Sequence, residues 1–233
     1  MAYLLASTLV VFLSLGDPVR VTAEGYREGV RMLITAIAIG ITIMWPMLRL
    51  SQASPVGGGG HAVARDLMIL LIPLQAVLWP QTLLTGWTFS AIGAAALTLL
   101  AWSLLVGALV AAGLGFGQQD THGQSKLQEI QYAENSVTIA RTLWMLAILT
   151  LVLAGPLLMV LIRSIGRGSS AEFQVMLGMS SPLTAPWELL KDRVWTGHRA
   201  AVGPEHWRAV WMTLSIAVAA WVLRALWRRQ PSA

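Results

Sequence analysis

The chain has 233 residues, of which 56% are hydrophobic and only 12% are charged. Charged residues make up roughly a quarter of an ordinary soluble domain, so this composition excludes that class and favours lipid as the solvent. Cysteine is absent, which excludes disulfides and thiolate metal sites, and the net charge of +5 comes from Lys and Arg near the edges of apolar segments rather than on one nucleic-acid-binding face.

Hydropathy predicts an all-α fold, a polytopic transmembrane helix bundle with five or six hydrophobic helices and short interfacial helices. We expect one integral membrane domain over residues 1–233, surrounded by the lipid bilayer and without a nucleic-acid partner. The predicted hydrophobic segments are about 2–15, 32–48, 67–84, 89–114, 142–162 and 209–227.

The first two segments differ in how well they are delimited. Segment 2–15 stops at Gly16-Asp17-Pro18 and looks superficially like a secretion signal, but no Lys or Arg precedes it, so we expect a retained helix. It is short, and whether it crosses fully stays open. Arg31 and Arg49 bracket segment 32–48 as interfacial anchors.

A glycine-rich connection follows over 51–66. Gly57, Gly58, Gly59 and Gly60 lose too much backbone entropy to favour a helix, so the sequence predicts a flexible loop. The Lys and Ser or Thr of a nucleotide-binding P-loop do not follow these glycines. Together with Arg65 and Asp66, the loop is instead a candidate contact for a partner protein.

Segment 67–84 contains Pro73 and Pro80, which remove backbone donors and kink a membrane helix. It is predicted to be bent, re-entrant or interfacial. Gln75 and Gln81 lie beside these prolines and are the intramembrane polar residues that could be functional. Residues 85–88 predict a turn, and small residues along segment 89–114 would allow close helix packing.

The second half of the chain alternates polar connections with two long apolar segments. Residues 126–134 predict a short amphipathic surface helix, and Gly155-Pro156 predicts a kink in segment 142–162. Apolar patches at 173–177 and 187–190 predict short interfacial helices. Arg228 and Arg229, after the last segment, favour cytoplasmic termini in a bacterial inner membrane.

The sequence predicts no catalytic residue, metal site or bound cofactor, and we expect a protein that is not an enzyme. Its four histidines are all predicted in solvated loops, where they cannot ligate haem at membrane depth: His61, His122, His198 and His206. No Asp, Glu or Lys lies inside a predicted segment, which disfavours an ion-coupled transporter.

The arrangement resembles the permease of type-two ABC exporters. The stretch from Asp66 through the leucines to Pro73-Leu74 is similar to the leucine-rich, proline-containing stretch after the second helix of such permeases, and Ser180-Ser181-Pro182-Leu183 is similar to their turn after the fifth helix. The resemblance implies six helices, cytoplasmic termini, and short re-entrant helices before the last crossing. The family's charged run before the proline stretch is replaced here by glycine.

Two functions follow as hypotheses. The leading one is a permease-like subunit of an ATP-driven export system, in which a separate ATPase contacts the loop between Leu50 and Asp66. The alternative is a structural or assembly subunit of a larger electron-transfer or photosynthetic membrane complex, suggested by abundant Trp and small-residue helix faces. A membrane-embedded enzyme has the least support.

Overall fold

The computed structural model describes residues 23–52, 59–115, 127–165, 170–193 and 199–227. These residues are almost entirely helical, which confirms the predicted all-α fold. Five helical stretches are long and apolar enough to cross a membrane, as an integral membrane protein requires, and we number them spans 1 to 5. They are Tyr26–Ser51, Gly59–Thr85, Phe89–Gly115, Val137–Ser164 and Pro204–Trp227. The predicted segment 2–15 lies outside the described residues.

Several helices begin earlier than predicted. Span 2 begins at Gly59, so the predicted loop over 51–66 is wrong for its second half. The separate surface helix over 126–134 is also wrong, because the helix Leu127–Ser164 is continuous. Polar residues in the first turns of these helices lower the local hydropathy, and hydropathy therefore places each start too late.

Span 1 contains an irregular turn that the sequence did not reveal. The turn is π-helical, covers Gly40–Met44, and joins the helix Ala23–Ile39 to the helix Trp45–Ser51. The backbone N–H of Trp45 donates to the carbonyl of Gly40. Pro46 follows immediately and cannot donate, so the wider turn just before it accommodates the proline ring without ending the helix.

Span 2 runs the whole way between the two ends of the bundle. Pro73 lies inside the helix Gly59–Leu78, which it does not end, and a turn at Trp79-Pro80 leads to the short helix Gln81–Thr85. One end of the span contacts Arg49 through Asp66, and the other contacts Arg27 through the carbonyl of Thr85. Because Arg27 and Arg49 also lie near the two ends of span 1, span 2 is not re-entrant.

The predicted turn over 85–88 is confirmed. Gly86 has φ +67°, and its N–H donates to the carbonyl of Thr82 to close the helix. The Phe89–Gly115 helix of span 3 then crosses the centre of the bundle and packs most extensively on spans 5 and 2. Its small residues are buried inside the chain, among them Ala91, Ala94, Ala95, Ala108 and Ala111.

Between spans 4 and 5 the described residues form a folded cap over one end of the bundle. The cap consists of residues 170–193 and 199–203. It contains the helices Ala171–Met179 and Ala185–Leu189, as the apolar patches predicted, and two short antiparallel strands, Asp192–Arg193 and Arg199–Ala200. We call this end of the bundle the cap end and the other the Arg49 end.

The cap is attached to span 4 at the predicted proline site. The helix continues through Pro156, whose missing N–H leaves the carbonyl of Val152 without its helical donor. The hydroxyl of Ser181 donates to that carbonyl over 2.6 Å in a buried position. Gly155 allows the approach, since a Cβ there would lie 2.6 Å from Ser180 Oγ and 2.7 Å from Ser181 Cβ.

Candidate functional site

Charged side chains at the cap end join three parts of the chain. Arg27 donates to the carbonyl of Thr85 over 2.9 Å and to Asp192 over 3.3 Å. Arg31 donates to Asp192 over 2.5 Å and to the carbonyl of Leu190 over 2.9 Å. These arginines therefore do more than anchor span 1 at the headgroups, because they hold the cap and the turn after span 2 in place.

A second group of charges lies where the cap meets span 5. Arg193 Nη2 lies 3.1 Å from Glu188 Oε1 and 3.0 Å from His206 Nε2. The other ring nitrogen of His206, Nδ1, accepts the N–H of Gly203 over 3.1 Å and lies 3.3 Å from Glu205 Oε1. Arg193 also donates to the carbonyl of Ala201. The cap is thus fixed to span 5 through partly buried polar contacts.

Glu188 lies in the cap helix Ala185–Leu189, and its protonation equilibrium is displaced toward the carboxylate. Burial by itself raises the pKa of this carboxyl, but the nearby imidazole of His206, whose Nε2 lies 3.9 Å from Glu188 Oε1, and the positive charges of Lys191 and Arg193 outweigh burial. The pKa of Glu188 consequently lies below its ordinary value of 4.5. The side chain is therefore a carboxylate at neutral pH.

The structure corrects the interpretation of two histidines. His206 was predicted in a solvated loop, but it lies in the first turn of the helix Pro204–Trp227 and is only 1% exposed. Both of its ring nitrogens lie within 3.1 Å of protein donor nitrogens, so neither is presented to a metal ion. His61 is exposed as expected, but on the helix Gly59–Leu78 rather than in a loop.

His122 and His198 fall outside the described part of the chain. Within that part, no three His, Asp or Glu side chains are grouped as a metal site would require.

The Arg49 end has a smaller set of polar contacts. Arg49 Nε lies 2.9 Å from Asp66 Oδ2, and Arg49 Nη1 donates to the side chain of Gln52 over 2.9 Å. Arg141 of span 4 donates to the carbonyl of Gln52 over 3.0 Å. These contacts bring spans 1, 2 and 4 together. Asp66, which the sequence placed outside the segments, lies two turns inside span 2.

The predicted partner-contact loop is only partly a loop. Gly57 and Gly58 lie outside the described residues, whereas Gly59 and Gly60 begin span 2. A Cβ at Gly59 would lie 2.7 Å from Leu114 Cβ, so this glycine lets span 2 approach span 3 closely. Arg65 is exposed. Gly59 is therefore a packing residue, and Arg65 is the charged member of the predicted site that a partner could reach.

The glutamines among the predicted kink residues form hydrogen bonds within their own span. The side chain of Gln75 accepts the indole N–H of Trp79 over 3.1 Å, and Gln81 donates to the carbonyl of Val77 over 3.0 Å. Gln81 Oε1 is buried and has no hydrogen-bond donor within the described residues. All four predicted residues, Pro73, Gln75, Pro80 and Gln81, lie in span 2. The hydrogen bonds of the two glutamines stay within this span.

The sequence did not predict the contacts that join Arg27 and Arg31 of span 1, and His206 of span 5, to the cap. The residues of each ion pair between span 1 and the cap are more than 150 positions apart, and no local pattern couples them. The run Lys191-Asp192-Arg193 could have indicated these ion pairs, because charged side chains that directly follow an apolar helix at a membrane surface often pair with an opposite charge.

Comparison with known protein families, with curated proteins and with solved structures finds no match for this chain.

Proposed function

We propose that this chain is a non-enzymatic membrane subunit, the permease-like component of an ATP-driven export system. The observation that carries the proposal is the cap: two short helices precede the last span and dock through the Ser180-Ser181-Pro182-Leu183 turn. Short helices before the last crossing are what the resemblance to type-two ABC permeases implies.

The unequal ends of the bundle also support the proposal. The cap end is covered by a folded segment that is fixed by ion pairs from span 1 and by polar contacts with His206 of span 5. At the Arg49 end the described residues place the exposed Arg65 one position before the paired Asp66. A separate ATPase would dock at this end, where the described residues form no cap, and the chain carries no nucleotide-binding motif of its own.

The alternative is a structural subunit of a larger complex, and one of the two sequence features that suggested it has another explanation. The small residues of span 3 that suggested inter-subunit packing are buried within the chain itself. Span 4 does expose a row of large apolar side chains, Leu143, Leu146, Leu157, Leu158 and Leu161. Lipid covers such a surface as readily as another subunit does, so this row does not favour the alternative.

The test is to purify the tagged protein from native membranes in mild detergent and identify its partners by mass spectrometry. We expect stoichiometric recovery of an ATPase and ATP hydrolysis by the purified complex. Arg65→Glu should reduce that recovery, because it reverses a charge at the proposed docking end.

Arg208→Glu is the matched control. Arg208 is an exposed arginine at the cap end, paired with Glu172 over 3.4 Å, and its reversal should leave ATPase recovery unchanged. Recovery of redox or pigment-bearing subunits in place of an ATPase would overturn the proposal. Equal losses for both variants would overturn the assignment of the docking end.

A further inference from the structure

A basic cavity of about 290 Å³ opens at the cap end between spans 1 and 4 and the cap. Its volume is close to the lower limit of small-molecule sites, about 300 Å³, which suits a compact polar headgroup. The residues that line it include Arg31, Met159, Arg163, Trp187, Glu188 and Lys191.

The charges of this cavity do not balance. The lining side chains carry three positive charges, on Arg31, Arg163 and Lys191, against one negative charge on Glu188. Asp192, which contacts Arg31 at 2.5 Å, is shared with Arg27, and Arg193 contacts Glu188 at 3.1 Å. Arg163 and Lys191 are both exposed, and neither contacts a carboxylate within the described residues. The cavity therefore has an excess of two positive charges, which attracts an anion.

The surroundings of the cavity are those of a membrane interface. Trp187, which is 39% exposed, and Met159 supply apolar walls beside the charges. The same turns of span 4 expose Leu158, Val160 and Leu161 along the helix. An anion that enters here can thus carry acyl chains that lie along span 4, and basic pockets beside membrane helices bind phospholipid headgroups in this way.

We propose that this cavity binds the phosphate of an anionic phospholipid, with Arg163 and Lys191 as the residues that contact it. The ligand chemistry is a phosphate anion, and the apolar walls assign it to a lipid rather than to free phosphate. The site is independent of the proposed export function, since lipid retention requires neither an ATPase nor transport.

The experiment is native mass spectrometry of the purified protein after incubation with equal amounts of phosphatidylglycerol and phosphatidylcholine. We expect wild type to retain phosphatidylglycerol preferentially. The double variant Arg163→Gln/Lys191→Gln should lower that retention on the order of tenfold, because each removed cation weakens the attraction to an anionic lipid. Arg65→Gln removes one cation at the Arg49 end and should retain the lipid as wild type does.

A fluorescence titration of the same proteins with inorganic phosphate separates the two sources of the anion. We expect no saturable response at millimolar phosphate. Saturable phosphate binding that the double variant abolishes, without a preference for phosphatidylglycerol, would overturn the lipid assignment. Equal retention of both lipids, or equal losses in Arg65→Gln and the double variant, would overturn the site. Circular dichroism of each variant confirms that the helices are retained.

Discussion

At the residue scale, the most informative contact is the one between Ser181 and the carbonyl of Val152. Proline in a membrane helix is tolerated when another group satisfies the carbonyl that it leaves without a donor. Here a residue 29 positions away does so, and it thereby ties the cap to span 4. The kink site and the Ser-Pro turn were each noted from the sequence, but nothing in the sequence indicated that they contact each other.

Ser181→Ala should destabilise the protein by about 1 to 2 kcal/mol, because it leaves a buried carbonyl unsatisfied. Thermal unfolding in detergent, followed by intrinsic tryptophan fluorescence, measures the effect. Ser180→Ala is the matched control, since the Ser180 hydroxyl is exposed and donates to the carbonyl of Leu177 within its own turn. A Tm for Ser181→Ala that is no lower than that of Ser180→Ala would contradict the role assigned to this hydroxyl.

Glu188 gives the cap an acid-sensitive contribution to stability. Its pKa is lower in the folded protein than the ordinary value of 4.5, so its contribution is complete above that pH and is lost as the pH falls through the folded pKa. The Tm advantage of wild type over Glu188→Gln should therefore be present at neutral pH and shrink below pH 4.5. An advantage that does not change with pH would contradict the prediction.

At the element scale, the sequence predicted the number and approximate position of the apolar helices better than their ends. Hydropathy located each described span because an apolar run of this length is stable only in lipid or in a core. Hydropathy failed to predict helix at Gly59 and Gly60, because glycine has a low intrinsic helix propensity. Packing outweighs this propensity: Gly59 lies against span 3, and Gly60 lies next to Arg224. Propensity is local, and the contact that outweighs it comes from a distant helix.

These two glycines provide a matched test of that packing. A Cβ at Gly59 would meet Leu114 Cβ at 2.7 Å, an atom fixed by the backbone of span 3. A Cβ at Gly60 would meet only the end of the flexible Arg224 side chain, at 2.9 Å. Gly59→Ala should therefore cost about 1 to 3 kcal/mol of stability, whereas Gly60→Ala should be nearly neutral. Thermal unfolding measures both, and equal effects would show that the close approach is not limiting.

At the scale of the whole molecule, the bundle has two unlike charged ends that are separated by apolar helices. Arg27 and Arg31 bind the cap at one end, and Arg49 binds Asp66 at the other. The sequence predicted Arg31 and Arg49 as boundary residues because charged side chains collect at the edges of apolar segments. It could not predict the folded cap, whose ion pairs join residues distant in the chain.

The most direct test of the proposed five crossings is single-cysteine labelling in intact cells. The chain has no cysteine of its own, so only the introduced thiol of this protein can react. Gln52→Cys and Arg65→Cys place exposed thiols at the Arg49 end, and Glu172→Cys and Lys191→Cys place them at the cap end. We predict that a membrane-impermeant maleimide labels one pair from outside and reaches the other pair only after permeabilisation. Labelling of all four positions from the same side would contradict a bundle whose five spans cross the membrane.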